Sequence, residues 1–246
     1  MNVNKGALMG RLTDFEVITM SKKQTLTITV MTVLSCAIML LIEQGLETTY
    51  VTKTLAKIVM FLVVPLIYIR FILKQRILEF LNLKHIDMKR LKSGFLLGLL
   101  ASGIVLLTFL LLQDFIDTKA IISDLKNRLH ITAEVYIFVA LYITFGNSLL
   151  EEFYFRGFIF LKLYQTNQKV FAYVFSAGLF AFYHIAIFAT WFNISLILLA
   201  LVGLFTVGLV FNWLNTKSNN FLNSWILHIL ADIAVVSIGF YLFQVS

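Results

Sequence analysis

The chain is poor in charge, proline, glycine and cysteine, and each shortage excludes something. Asp, Glu, Lys and Arg make up 13% of the 246 residues, about half the share of a soluble domain. So few charges cannot cover a globular surface, so lipid must serve as part of the solvent. One proline and 12 glycines leave little material for loops and turns, which makes most of the chain helix. The single cysteine, Cys36, rules out an internal disulfide and reads as a small packing residue. Strands of a membrane barrel would alternate in polarity over about ten residues, and no such alternation runs through the sequence.

What is present is apolar surface: 60% of the residues are hydrophobic and the mean hydropathy is +0.90. The apolar residues gather into long uncharged runs near 25–43, 55–73, 94–112, 135–153, 170–188, 194–214 and 221–243. Each is close to the roughly 20 residues that a helix needs to cross a bilayer. The expected fold is an all-α polytopic transmembrane helix bundle of about seven spans, with eight as the upper count. The fourth run has no breaker after it and should stay helical to about Lys162. The polar stretch 114–134, between the third and fourth runs, could form a short amphipathic helix at the interface. Residues 1–24 are polar and of mixed charge, without a small-residue cleavage site after the first run, so no cleavable signal is expected.

The net charge of +7 would suggest nucleic acid in a soluble chain. Here the placement of the basic residues matters more, and no nucleic-acid partner is expected. With the N-terminus in the cytoplasm, the inner segments hold Lys5, Arg11, Lys22 and Lys23, then Lys74, Arg76, Lys84, Lys89, Arg90 and Lys92, then Arg156, Lys162, Lys169 and Lys217. The outer ones hold only Lys53, Lys57, Lys119, Lys126 and Arg128. That asymmetry follows the positive-inside rule. The basic cluster from Lys74 to Lys92 fixes topology. Gly94, Gly98 and Ser102 are a small-xxx-small series that lets another helix approach closely.

Ionisable groups at membrane depth are costly and each needs a reason. Most acids, with His85 and His130, fall in loops or at span ends. The exceptions are Glu151 and Glu152, His184, and His228 with Asp232. Glu152 and Arg156 are four apart on one helix face and should form an ion pair. Glu151 points about 100° away and must find water or a group from another helix. Phe180 shares a face with His184, and His228 shares one with Asp232. At 1.5 Å per residue, Glu151 lies about 16 Å from Lys162, His184 about 21 Å from Val170 and His228 about 10 Å from Phe221. These depths are comparable, so one site could hold them all. A carboxylate and an imidazole can deprotonate a water and aim it at a peptide carbonyl, while a second imidazole and its polar neighbour stabilise the oxyanion. Glu151, His184 and His228 could instead ligate a zinc ion. Neither a His-Glu-x-x-His nor a Gly-x-Ser-x-Gly pattern is present.

In these residues the chain resembles the CPBP family of intramembrane proteases, the CAAX-protease and bacteriocin-processing or Abi family. Its Glu-Glu-x-x-x-Arg pattern is matched by Glu151, Glu152 and Arg156, its Phe-x-x-x-His by Phe180 and His184, and its His-x-x-x-Asn/Asp by His228 and Asp232. The resemblance implies a single membrane domain, with residues 1–134 as N-terminal helices and loops and residues 135–246 as the catalytic helical core. It implies endopeptidase activity on a CAAX-type tail or a pheromone or bacteriocin precursor, with Glu151 and His184 activating water. His228 and Asp232 would face the oxyanion, supported by Glu152, Arg156 and Phe180. Many members carry Asn where this chain has Asp232, so that acid should be protonated or should orient His228. Metal-free chemistry without a cofactor is favoured, zinc on Glu151, His184 and His228 being the alternative. The expected partners are a peptide or protein substrate and the bilayer, with the site opening toward its cytoplasmic half. Two other functions compete. A non-catalytic partner, such as a bacteriocin-immunity or sensor-kinase regulatory protein, would have no need of Glu151. A proton-coupled carrier would normally show repeated halves or broken helices.

Overall fold

A computed structural model describes residues 21–46, 48–84, 86–166 and 168–245. The expectations attached to Lys5, Arg11 and the rest of the N-terminal stretch, and to His85, lie outside the described residues. Eight principal helices follow one another: α1 (Lys22–Gly45), α2 (Tyr50–Ile72), α3 (Met88–Phe115), α4 (Thr118–Asn127), α5 (Ala133–Tyr164), α6 (Lys169–Phe188), α7 (Ile194–Ser218) and α8 (Leu222–Val245). No strand occurs among the described residues. Six of these, all but α4 and α6, are long and apolar enough to cross a membrane. The seventh apolar run is α6, whose 20 residues span about 30 Å. The chain is a multi-pass membrane protein.

Polar residues set the helix ends. Ser21 and Gln24 cap α1 reciprocally: the Ser21 hydroxyl accepts from the Gln24 amide at 3.2 Å and the Gln24 side chain accepts from the Ser21 amide at 2.9 Å. Thr49, Asp117 and Asn193 cap α2, α4 and α7 through a side-chain oxygen on the amide three residues on. α4 is the short interfacial helix in the 114–134 connection. Asp124 on it holds Arg128 and accepts from the Trp191 indole at 2.7 Å, which ties it to the α6–α7 loop.

α5 is the hub, packed against α1, α2, α6, α7 and α8. Every residue from Glu151 to Leu163 is buried. Over Tyr142–Asn147 and Glu152–Phe160 its hydrogen bonding widens to the π pattern, a device common at functional sites. α3 lies against α8 through the small-residue series. The Gly94 amide donates to the Asn223 side chain at 2.7 Å, and the Ser102 hydroxyl donates to the Leu230 carbonyl at 2.6 Å. A Cβ on Gly94 would stand 2.2 Å from the Asn223 carbonyl oxygen, so only glycine permits this approach. Cys36 is buried and free.

Lys53 and Lys57, assigned above to an outer segment, are instead buried within α2. Lys53 pairs with Glu43 of α1 at 2.8 Å. Lys57 faces α5. Both sit one turn or more inside the helix start, where an opposite charge from a neighbouring helix compensates each of them.

Candidate active site

The acids and imidazoles singled out in the sequence converge. Glu151 sits on the inner face of α5 with its side chain 1% exposed, so whatever it touches decides its state. Its Oε2 lies 3.3 Å from His184 Nε2 of α6 and 3.9 Å from His228 Nε2 of α8. Asp232, one turn beyond His228, brings Oδ1 to 3.7 Å from the same Nε2. Four ionisable side chains from three helices thus share one pocket of the bundle.

Glu152 faces the other way around α5. The expected ion pair with Arg156 is present, with Nη1 to Oε1 at 3.2 Å and both side chains wholly buried. The same Oε1 lies 3.0 Å from His228 Nδ1, a contact that spacing along one helix could not reveal. Glu152 therefore orients the His228 ring from behind, leaving Nε2 turned to Glu151 and Asp232. Between Glu152 and Asp232, it is Glu152 that is hydrogen-bonded to the ring.

The Phe180-x-x-x-His184 spacing has a local physical reason. One turn of α6 puts the Phe180 carbonyl 2.9 Å from His184 Nδ1, where the ring N–H donates to it. The Phe180 ring stacks near the imidazole, with centroids 4.3 Å apart. It also meets the Arg156 guanidinium, 4.0 Å from the ring centroid, with Phe211 of α7 covering that guanidinium at 4.6 Å. Cation–π contacts of this kind are strongest where water is excluded. Phe180 thus couples the buried cation to the imidazole that meets Glu151.

With Nδ1–H donated to the Phe180 carbonyl, His184 turns Nε2 to Glu151 Oε2, 3.3 Å away. In the whole cluster Glu151, Glu152 and Asp232 are accompanied by two cations, Lys57 and Arg156.

Three neighbours were not singled out in the sequence. Lys57 of α2 donates to Glu151 Oε1 at 3.1 Å and to Asn147 Oδ1 at 2.6 Å, while Asn147 Nδ2 donates to the same Oε1 at 3.0 Å. Tyr183 puts its ring under the Lys57 ammonium, 5.0 Å away. Asn147 stands four residues before Glu151, so the same-face rule could have found it. Lys57 carried a signal too, as a lysine inside an apolar run. Its partner lies 94 positions away and has no sequence signature.

Among the described residues no group of three or more His, Cys, Asp or Glu side chains is arranged to hold a metal ion. No step below runs through a metal.

Neither the curated proteins nor the solved structures yield a match to the chain. Residues 133–234 match a family model described as type II CAAX prenyl endopeptidase Rce1-like. The matched stretch contains Glu151, Glu152, Arg156, Phe180, His184, His228 and Asp232. Over these residues the chain is similar to the CPBP family of intramembrane endopeptidases, to which that family model belongs.

Proposed function

We propose that the protein hydrolyses a peptide bond of a membrane-associated peptide or protein with a water activated by Glu151 and His184. One observation carries the reading: Glu151 Oε2 meets imidazole nitrogens from two other helices, at 3.3 and 3.9 Å, at a depth where an unused carboxylate would be a liability. A water beside the Oε2–Nε2 pair gives up a proton to it as the water's oxygen bonds to the scissile carbonyl carbon. The carbonyl oxygen becomes an oxyanion, and a hydrogen bond from the protonated His228–Asp232 pair stabilises it, that proton staying on the pair. Collapse breaks the C–N bond, and the proton held by Glu151 and His184 passes to the leaving amine.

Asp232 takes part in its protonated form, because an ionised carboxylate would repel the oxyanion. Glu152 keeps His228 aimed, and Arg156 balances Glu152. The reaction is metal-free in this reading. The substrate class is a CAAX-type tail, as the family description implies, or a bacterial peptide precursor processed at the membrane. The basic loop from Lys74 to Lys92 puts that side of the bundle in the cytoplasm, and substrate enters from the cytoplasmic half.

The experiment is comparative peptidomics of membranes with the wild-type chain and with Glu151→Ala at equal protein level. A precursor should accumulate in the variant with its cleaved product missing. Identical peptide profiles would refute the peptidase.

A further inference from the structure

Among the described residues, an ionisable side chain from outside the family segment reaches the site. Lys57 belongs to α2, far from residues 133–234 in sequence, yet its ammonium lies 3.1 Å from Glu151 Oε1 with its side chain only 9% exposed. We infer that Lys57 is a positioning residue for the reaction: with Asn147 it holds Oε1 of Glu151, so that Oε2 alone is presented to the imidazoles as the oxygen that takes the water's proton. This rests on the hydrolytic reading above.

The two oxygens of Glu151 have different surroundings. Oε1 accepts from Lys57 Nζ at 3.1 Å and from Asn147 Nδ2 at 3.0 Å. Oε2 has no such anchor and faces His184 and His228. The terminal torsion of a glutamate is broad and nearly two-fold. Without an anchor the carboxylate plane would swing over that broad torsion, and neither oxygen would be held facing His184. Asn147 closes a triangle: its Oδ1 accepts from Lys57 at 2.6 Å while its Nδ2 donates to the carboxylate. The carboxamide can make both bonds in one orientation only, since its oxygen accepts and its nitrogen donates.

The rest of the fold pins this triangle. One turn after Lys57 on α2, Phe61 stacks on Tyr154 of α5, ring centroids 4.1 Å apart and planes within 6°. Tyr154 is three residues after Glu151, so the stack sets the register of α2 on α5 at the level of the carboxylate. The ammonium also sits 5.0 Å from the ring of Tyr183, the residue before His184. One cation thereby contacts both helices that supply the water-activating pair. An ion pair that only neutralised a buried acid would stabilise the fold and leave turnover alone. Positioning predicts an effect on turnover, because misplacing a reacting group by about 1 Å can cost about 100-fold.

The test uses the full chain in proteoliposomes and a quenched peptide spanning the cleavage site of the precursor that accumulates in Glu151→Ala membranes. Lys57→Met should lower kcat about 100-fold with KM within about 3-fold, the pattern of an interaction used in the transition state. Lys57→Arg, which keeps the cation, should recover about 10-fold or more of that loss. A kcat for Lys57→Met within about 3-fold of wild type, or Lys57→Arg no faster than Lys57→Met, would overturn the inference. Should Lys57→Met fail to accumulate, Asn147→Leu takes its place. It should lower kcat about 10-fold at unchanged KM, and unchanged kcat would overturn the proposal equally. Glu151→Ala runs beside every variant. If it still cleaves the peptide, the peptidase reading falls and this inference with it. If it is inert while the Lys57 and Asn147 variants keep full turnover, only the positioning role falls.

Discussion

Helices α3 and α5 are both apolar enough to span a bilayer, with hydropathy of 2.7 and 1.5 over their best windows, yet only 6% of that window is buried in α3 against 28% in α5. Along α3, Leu96, Leu100, Leu107 and Leu111 are exposed on the outside of the bundle, which in a membrane is the lipid face. Along α5, every residue from Glu151 to Leu163 is inside, including Glu152 and Arg156. The more hydrophobic helix is thus the one outside. Lipid tails are as apolar as leucine, so leucines gain little by leaving them. Charged groups have no such freedom, and they pull the less hydrophobic helix to the centre. Hydropathy reports membrane depth, whereas buried charge reports lateral position.

The contrast can be broken at several points. The largest effect belongs to Glu151→Ala, for which cleavage should fall about 100- to 10,000-fold, the range for a general base, as read from product formation in the proteoliposome assay. Next is Arg156→Met. Removing one partner of a buried pair costs about 3–5 kcal/mol, and the variant's thermal unfolding in detergent should show a loss of that order. Adding Glu152→Gln should restore much of that stability while turnover stays low, because His228 loses its orienting carboxylate. Equal stability of Arg156→Met and wild type would mean that α5 is not held by its charges.

Smaller effects separate two glycines of α3 itself. Gly94→Ala places a Cβ against the Asn223 carbonyl oxygen and should cost about 1–3 kcal/mol by overpacking, with turnover reduced because α8 carries His228. Gly103 has nothing within 4 Å of its would-be Cβ, so Gly103→Ala should be neutral or stabilising by up to about 1 kcal/mol. Unfolding curves of the two variants side by side decide whether α3 has one packed face or two.

The smallest effect lies at the interface, where charge is solvated. The Arg128 guanidinium and the Trp191 indole hold the Asp124 carboxyl below the ordinary carboxylate range. A carboxylate whose pKa is depressed in the fold contributes stability that is present above its unfolded value, about 3.9, and lost as pH falls through the folded value. Trp191 fluorescence should therefore hold steady through mildly acidic pH and change only below about pH 4. In Asp124→Asn that acid transition should vanish. An unaltered transition in the variant would assign it to another group.

Much of this was legible in the chain because periodicity and charge are local signals. The apolar runs place the spans, and the extension of α5 past Lys162 followed from the lack of any breaker. The Glu152–Arg156 pair and the His184 bond to Phe180 are both one-turn relations, and one turn of helix is short enough to read from spacing. The small series of Gly94, Gly98 and Ser102 announced a close neighbour, although not that the neighbour is α8. Lys57 was assigned to the wrong environment for the converse reason. Positive-inside counting treats a lysine near a span end as solvated, and its buried partner lies on a helix two spans later.

The sequence by itself determined that the chain is helical, that it lives in lipid, and that a few ionisable groups must hide from that lipid together. Spacing of 3.6 residues per turn and the cost of bare charge in hydrocarbon suffice for that. Only the tertiary structure decided that Glu152 holds His228 and that Lys57 holds Glu151, because the distance between side chains on different helices depends on how those helices tilt and rotate against one another. That is a property of the packed bundle and of no segment alone.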